Sequence, residues 1–386
     1  MHSNQLTEDS LRSLSEVEAD EPVVISLFFD LDPAEFATAP ARASQVTSLL
    51  SELDALLRDG DFSHDAMETL KVDRERIEAF LRDDDLDVGE AAALAIYASH
   101  ALDLFQAVKL PDPVDPAVHV DQRPILEPVM GLQDDGAWCV LLVTRDSARI
   151  FRGGPSGIRE IRDVHSDVKN QHSAGGWSQA RYERSVEREV EWHLERATDL
   201  LFRHYKRRPF DHLIIGANNE SLRPALTDET HAYLRERIRG WVDIDEKLAG
   251  QDEVFEAVRQ IMDEYLEQQE REIFERFQYE QGTDGRAVEG LEPVLAALVE
   301  QKVETLLVRE GAQARGNTCV TCGWLGPAGP AQCPVDETAL DSAENIFEPA
   351  IQAAIRQSAT VHVVRVPDDG NDEAPLVEPI AALLRY

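Results

Sequence analysis

The stretch His165-Ser-Asp-Val-Lys-Asn-Gln-His-Ser-Ala-Gly-Gly-Trp-Ser-Gln-Ala-Arg-Tyr-Glu-Arg184 organises the chain. A polar loop with two adjacent glycines runs straight into a long helical pattern. Gly175 and Gly176 carry no Cβ, so backbone there can approach a partner closely. Ser178 is an N-cap candidate, and Trp177 and Gln179 sit at the tip. The helix is predicted from about 178 to 207, ending before Pro209. Val186, Val190, Leu194, Ala197, Leu201 and Tyr205 recur at helical spacing and form its packing stripe. Arg181, Arg184, Arg188 and Arg196 then face outward, some of them paired along the helix with Glu183, Glu187 or Glu195.

Upstream, Trp138-Cys-Val-Leu-Leu-Val-Thr144 and Ala148-Arg-Ile-Phe-Arg152 read as a β-hairpin, with Ile158–Val164 as a third strand. Gly153-Gly-Pro-Ser-Gly157 is a turn; it lacks the Lys-Ser/Thr that a nucleotide loop needs. Downstream, Phe210–Ala217 is a strand, a helix is predicted near 224–238, and Gly240–Ile244 is a further strand. Strands alternating with helices argue an α/β sandwich. Farther out, Val23–Phe29 reads as a buried strand, 41–58 and 65–82 as helices, and Ala91–Tyr97 and Leu104–Val108 as strands. Leu110-Pro-Asp-Pro-Val-Asp-Pro116 is an extended connector, because proline fixes φ and lacks an N–H. After a long helix at 252–281 come a helix from Gly290, a strand at Val303–Val308, a helix near 343–357, a strand at Val361–Val366 and the closing Ile380–Tyr386. The expected fold is mixed α/β in three domains: 1–125, 126–283 and 284–386, the last with a cysteine-bearing insert at 317–338.

The net charge of −36 argues against a general nucleic-acid coat. Its distribution is uneven. Residues 145–210 hold 14 Lys+Arg against 10 Asp+Glu, so the least acidic stretch coincides with the glycine loop and its helix. No run of about 18 apolar residues is present, which predicts no transmembrane helix. The N-terminus is polar and acidic, unlike a signal peptide. A cytoplasmic, disulfide-free and monomeric protein is expected, with no membrane partner. Cys139 lies in an apolar strand and reads as a small core residue.

Cys319-x-x-Cys322 and Cys333-x-x-Asp336 have the spacing of two zinc-knuckle halves, with Asp336 as fourth ligand. Gly323 and the Pro/Gly-rich stretch 326–330 suit tight turns around thiolates. A structural Zn2+ with no open position is expected; a metal-free loop or a redox-sensitive pair are the alternatives.

Five stretches carry a resemblance over nearly the whole length: Ile25–Phe29 ending in Asp32-Pro33; Leu94–Ala98 with the connector and Pro124–Val129; the Val140–Phe151 hairpin with the glycine loop; Val288–Val308; and Ile380–Tyr386. The chain resembles the bacterial, Balon-like branch of the superfamily that holds the eukaryotic and archaeal class-I peptide chain release factors and Pelota. That resemblance implies a three-domain architecture that mimics tRNA in the ribosomal A site, with the central loop at the peptidyl-transferase centre. Release factors carry Gly-Gly-Gln there. Here Gln171, His172, Ser173 and Ala174 precede Gly175-Gly176, and Trp177-Ser178 intervene before Gln179. By the resemblance, Gln179 would position a water against the peptidyl-tRNA ester, and His172, Gly175, Gly176, Trp177, Ser178, Arg181 and Arg184 would contact RNA. The implied partners are rRNA, P-site tRNA and elongation factor Tu or a related GTPase. Residues 1–120 hold 8 Lys+Arg against 26 Asp+Glu, and no stop-codon-reading loop is evident between 41 and 70. Rescue by peptidyl-tRNA hydrolysis and hibernation by passive occupancy both remain open. The alternative class is a ribosome-independent nuclease or tRNA hydrolase, for which Asp163, His165 and Asp167 are the densest candidates.

Overall fold

A computed structural model of the chain describes residues 4–5, 8–31, 39–83, 91–110, 114–130, 136–144, 147–155, 157–165, 179–217, 222–244, 250–283, 285–364 and 378–386. The chain forms two compact units. One is composite, from Met1–Asp134 and Arg271–Tyr386; the other is inserted, Asp135–Glu270.

The composite unit begins with β1 (Asn4–Gln5), α1 (Glu8–Ser15) and β2 (Val24–Asp30), followed by α2 (Ala39–Asp59) and α3 (His64–Leu81). Then come β3 (Ala93–Ser99), β4 (Leu104–Leu110), β5 (Ala117–Asp121) and the short α4 (Glu127–Met130). Among the described residues the strands order β1-β4-β3-β2-β5. β2 and β3 are buried at every position, because both faces of the sheet are covered. On one face Ile25, Leu27 and Ile96 pack on Leu49, Leu53, Leu70 and Ile77 of α2 and α3. Ser63 caps α3, its hydroxyl accepting from Ala66 N at 3.1 Å.

The inserted unit holds β6 (Trp138–Val143), β7 (Ser147–Gly154), β8 (Gly157–His165), α5 (Gln179–Arg207), β9 (His212–Ala217), α6 (Arg223–Glu229), α7 (Ala232–Arg235) and β10 (Ile238–Val242). α8 (Gln251–Thr283) follows and continues into the composite unit. The sheet order is β10-β9-β6-β7-β8, with β6 parallel to β9 and antiparallel to β7. Successive β6 side chains point to opposite faces. Cys139, Leu141 and Val143 pack with Leu194, Ala197 and Leu201 of α5. Trp138, Val140 and Leu142 pack with Val254, Val258 and Met262 of α8. The hairpin, the packing stripe of α5 from Val190 to Tyr205 and the core position of Cys139 stand where the sequence puts them.

The helix expected near 224–238 is two short helices instead. Thr230 is extended, at φ −70° and ψ 128°, and its hydroxyl bonds Leu226 O at 2.6 Å. His231 then caps α7, its ring nitrogen accepting from Tyr233 N at 3.4 Å. The strand after it starts at Ile238, two residues earlier than the sequence suggests. β5, unread in the sequence, follows the proline connector.

The second segment of the composite unit adds β11 (Ala287–Glu289), α9 (Leu291–Val299), β12 (Val303–Arg309), β13 (Gly316–Thr318), β14 (Leu325–Pro327), β15 (Asp341–Ala343), α10 (Phe347–Arg356), β16 (Thr360–Val364) and β17 (Ile380–Leu384). A sheet ordered β11-β17-β12-β16 carries the fold, and β14-β13-β15 form a small separate sheet. The two segments share one core: Phe28, Tyr97 and Val108 cluster with Val294, Leu298, Phe347 and Ile351. Polar bonds fix the strap 124–127 between them. Tyr97 Oη donates to Ile125 O at 3.1 Å, Ser26 Oγ accepts from Ile125 N at 2.9 Å, and Gln352 Nε2 donates to Pro124 O at 2.9 Å. Among the described residues no helix is long and apolar enough to cross a membrane.

Candidate functional site

β8 and α5 frame the glycine loop. β8 pairs antiparallel with β7, with Asp163 opposite Arg149 and His165 opposite Ser147. α5 opens at Gln179. His172, Gly175, Gly176, Trp177, Ser178 and Asp167 lie outside the described residues, as do the side chains at 163–165 and 179–187. Backbone alone places Gln179 at the first helical position and Arg181 and Arg184 in the first two turns. At 3.6 residues per turn, positions 181, 184, 188 and 192 share one stripe. It lies opposite the buried stripe of Leu194, Ala197 and Leu201. Trp192 continues it and is 77% exposed. The sequence offered a signal for Trp192, its place four residues after Arg188, but the apolar periodicity drew attention to the other face. The last turn carries His204, Lys206 and Arg207, cations that suit the negative end of a helix dipole.

Two of the histidines near the loop in sequence are core residues of the inserted unit. His193 is buried. His212 lies against Trp138 and Tyr265, with ring centroids at 4.5 and 4.7 Å. Burial, with Arg239 and Arg237 beside it, pushes its pKa down to about 4. Arg239 Nε donates to its Nδ1 at 3.0 Å, as a neutral imidazole allows.

The second candidate site is built at the end of the small sheet. Cys319, Cys322, Cys333 and Asp336 converge, with their ligand atoms all within 4.8 Å of one another. Two half-turns repeat the same geometry. Gly323 N donates to Cys319 O at 2.8 Å, and Glu337 N donates to Cys333 O at 3.0 Å. Cys319 N donates to Trp324 O, and Cys333 N to Thr338 O, each at 2.8 Å. Gly323 and Glu337 occupy the same place in the two halves and are both left-handed, at φ 74° and 61°. Glycine adopts that conformation freely; glutamate does so at a cost.

The separations fit a tetrahedral ion. Zn–S bonds near 2.3 Å and Zn–O near 2.1 Å place two sulfurs about 3.8 Å apart and a sulfur and an oxygen about 3.6 Å apart. Cys322 Sγ and Cys333 Sγ lie 3.5 Å apart, and Cys319 Sγ lies 3.5 Å from Asp336 Oδ2. Two of the four candidate ligands are also prepared, while burial pushes the Cys322 thiol up to about 12. The Thr338 hydroxyl and N–H, bonded to Asp336 Oδ1 at 2.6 and 3.1 Å, hold that carboxyl well below the usual range. Burial disfavours a thiolate at Cys319. Hydrogen bonds from Thr338 and from the N–H groups of Cys322 and Thr321 outweigh it, so its pKa is lowered. The cluster can hold a metal ion. All four cysteines are free thiols. Thr338 was missed in the sequence, although it holds the fifth place after Cys333, as Trp324 does after Cys319.

Residues 129–263 match the model of the bacterial archaeo-eukaryotic release factor family 10. Peptide chain release factor subunit 1 of Thermococcus sibiricus is 27% identical over 306 residues, which is 72% of this chain and 74% of that protein. This chain is release-factor-like. The segment matched by the family model holds the hairpin, the glycine loop and α5 of the release-factor-like chain. Two solved structures align along it: an archaeal translation termination factor, aRF1, at 17% identity and TM-score 0.27 over 99% of both chains, and Pelota of Archaeoglobus fulgidus, at 13% identity and TM-score 0.31 over 99% of this chain and 93% of that one.

Proposed function

We propose that this chain is a ribosome-associated translation factor that enters the A site of stalled or idle ribosomes. Residues 171–184 would lie at the peptidyl-transferase centre. The observation that carries this reading is the family match over 129–263, the segment that holds the glycine loop and its helix. The Thermococcus relative, a peptide chain release factor by name, supports it.

In this reading Gly175 and Gly176 allow backbone to approach the ester closely, and a backbone N–H stabilises the developing oxyanion. Gln179 orients a water. Its amide is not basic enough to take a proton, so its contribution is position. Trp177 stacks on an rRNA base, and His172, Ser178, Arg181 and Arg184 hold the surrounding RNA, the arginines at phosphates. The P-site tRNA supplies the ester; in the hibernation mode elongation factor Tu or a related GTPase is the carrier. The protein acts as a cytoplasmic monomer. Cys319, Cys322, Cys333 and Asp336 hold a structural Zn2+. Four protein ligands leave no open position, so this ion adds stability and no chemistry.

The test is co-sedimentation with vacant and with peptidyl-tRNA-loaded ribosomes, followed by assay of the ester in the pellet. Co-sedimentation is expected. Loss of the ester assigns rescue hydrolysis, and an intact ester assigns hibernation. A protein that stays in the supernatant at physiological salt, with and without the GTPase, sinks the ribosome reading.

A further inference from the structure

A second aromatic surface lies at the other end of α5, far along the helix from the glycine loop. Four rings stack there in a ladder: Tyr205, Phe202, His231 and Tyr233. Tyr205 and Phe202 have centroids 6.4 Å apart and planes 13° apart; Phe202 and His231, 3.9 Å and 10°; His231 and Tyr233, 5.2 Å and 11°. Aromatic pairs in proteins meet offset-stacked or edge to face. Of the three contacts, Phe202–His231 at 3.9 Å is face to face, as stacked bases are, and the other two are offset.

The ladder has one closed end and one open end. At the closed end Tyr205 meets Phe210 edge-on at 5.2 Å, and the Arg237 guanidinium covers its ring at 5.0 Å. At the open end Tyr233 is 62% exposed. That end is also fixed. Arg237 donates to Tyr233 O at 2.7 Å and to Phe210 O at 3.0 Å, tying α7 to the start of β9. The break at Thr230, with the cap by His231, turns both rings onto the ladder. Lys206 lies over Phe202 at 4.5 Å. Arg207 and Arg235 are exposed, and Arg235 follows Tyr233 by two residues. Glu229 and Glu236 flank the ring pair in sequence, so the charge is mixed and the cations sit mainly on the α5 side. The inserted unit, residues 135–270, holds 20 Lys+Arg against 26 Asp+Glu; the rest of the chain holds 18 against 48.

We propose that the Tyr205–Phe202–His231–Tyr233 ladder is a stacking platform for an unpaired RNA base, which extends it at the open face of Tyr233 while Lys206 takes a neighbouring phosphate. Every base has a π-face, so such a platform is tolerant of sequence. A rigid ring held by its backbone loses little freedom on binding. The proposal rests on the ribosome reading only for which RNA is bound; single-strand binding itself does not depend on it.

The experiment uses the full chain and a fluorescein-labelled single-stranded RNA decamer of mixed sequence, read by anisotropy, with the same sequence as a duplex for comparison. Preference for the single strand is expected. Tyr233→Ala should weaken binding about ten-fold, and Tyr233→Trp should keep it. Lys206→Ala should flatten the salt dependence by about 0.7 in the log–log slope. A decamer carrying 4-thiouridine should crosslink to the peptide that contains Tyr233. Equal affinity of Y233A and the parent overturns the proposal and leaves the ladder to a protein partner or to packing. So do crosslinks confined to residues 166–184, or no binding at about 100 µM protein in low salt. The assay contains no ribosome, so a failed co-sedimentation leaves its outcome intact. Both Tyr233 variants alter an exposed ring, and an unchanged melting curve shows that they fold.

Discussion

The carboxyl group of Glu348, on α10, accepts the backbone N–H of Leu126 at 2.6 Å across 222 residues of sequence. Its other oxygen accepts from Glu127 N at 3.3 Å. The group is 6% exposed. Burial, opposed by these two N–H groups and reinforced by Glu127 and Asp121, pushes its pKa up to about 8. Glu348→Ala leaves those donors buried without it and should cost about 1–3 kcal/mol. The Tm of the composite unit should fall accordingly.

The pH dependence follows from the direction of two shifts. Glu348 is raised, so the folded state holds its proton where the unfolded state does not. Its contribution is fully present below about pH 4.5 and is lost as pH rises toward about 8. His212 is lowered to about 4, so its contribution is present above about pH 6.5 and lost as pH falls toward 4. Glu348 lies in the composite unit and His212 in the inserted one. Between pH 8 and pH 5 acidification should therefore strengthen the first and weaken the second. Hydrogen exchange read unit by unit checks this, and His212→Gln should blunt the acid loss of the inserted unit.

Metal content gives a third test. The purified chain should carry one equivalent of zinc, and a chelator should lower its Tm. Thr338→Val removes the hydroxyl that orients Asp336 without touching a ligand. Outer contacts of this kind are worth about 10–100-fold in metal affinity, which competition with a chromogenic chelator would read. A chain without metal, whose Tm ignores the chelator, would leave the two half-turns as a metal-free loop.

Gln179→Ala separates the two ribosomal modes. Under rescue hydrolysis it should slow ester loss by about two to three orders of magnitude with co-sedimentation unchanged. Under hibernation it should change neither. Arg181→Glu combined with Arg184→Glu should weaken co-sedimentation in both cases and make it less salt-sensitive.

The regular parts of the fold were legible because burial leaves a period in the sequence. β6 reads as an unbroken apolar run since α5 covers one face and α8 the other. The stripe of Leu194, Ala197 and Leu201 reads as a helix because its other faces are polar. The cysteine pairs were legible by spacing, and the structure brings the three thiols and the Asp336 carboxyl together. What local pattern could not show is decided by distant contacts. Phe28 and Tyr97 packing on Phe347 and Ile351 leaves no local mark. The break at Thr230 was hidden because 224–238 contains no glycine and only an early proline. The exposure of Tyr233 was equally hidden, since an aromatic side chain reads as core until its neighbours are known.

The shared core also sets an order of events as the polypeptide leaves the ribosome that makes it. Phe28, Tyr97 and Val108 emerge well before Val294, Phe347 and Ile351, which cover them. The inserted unit lies between and draws only on residues 135–270, so it can complete itself on the way out. The first 130 residues must wait with one sheet face open, and during that interval the nascent chain is exposed to aggregation and suited to a holding chaperone.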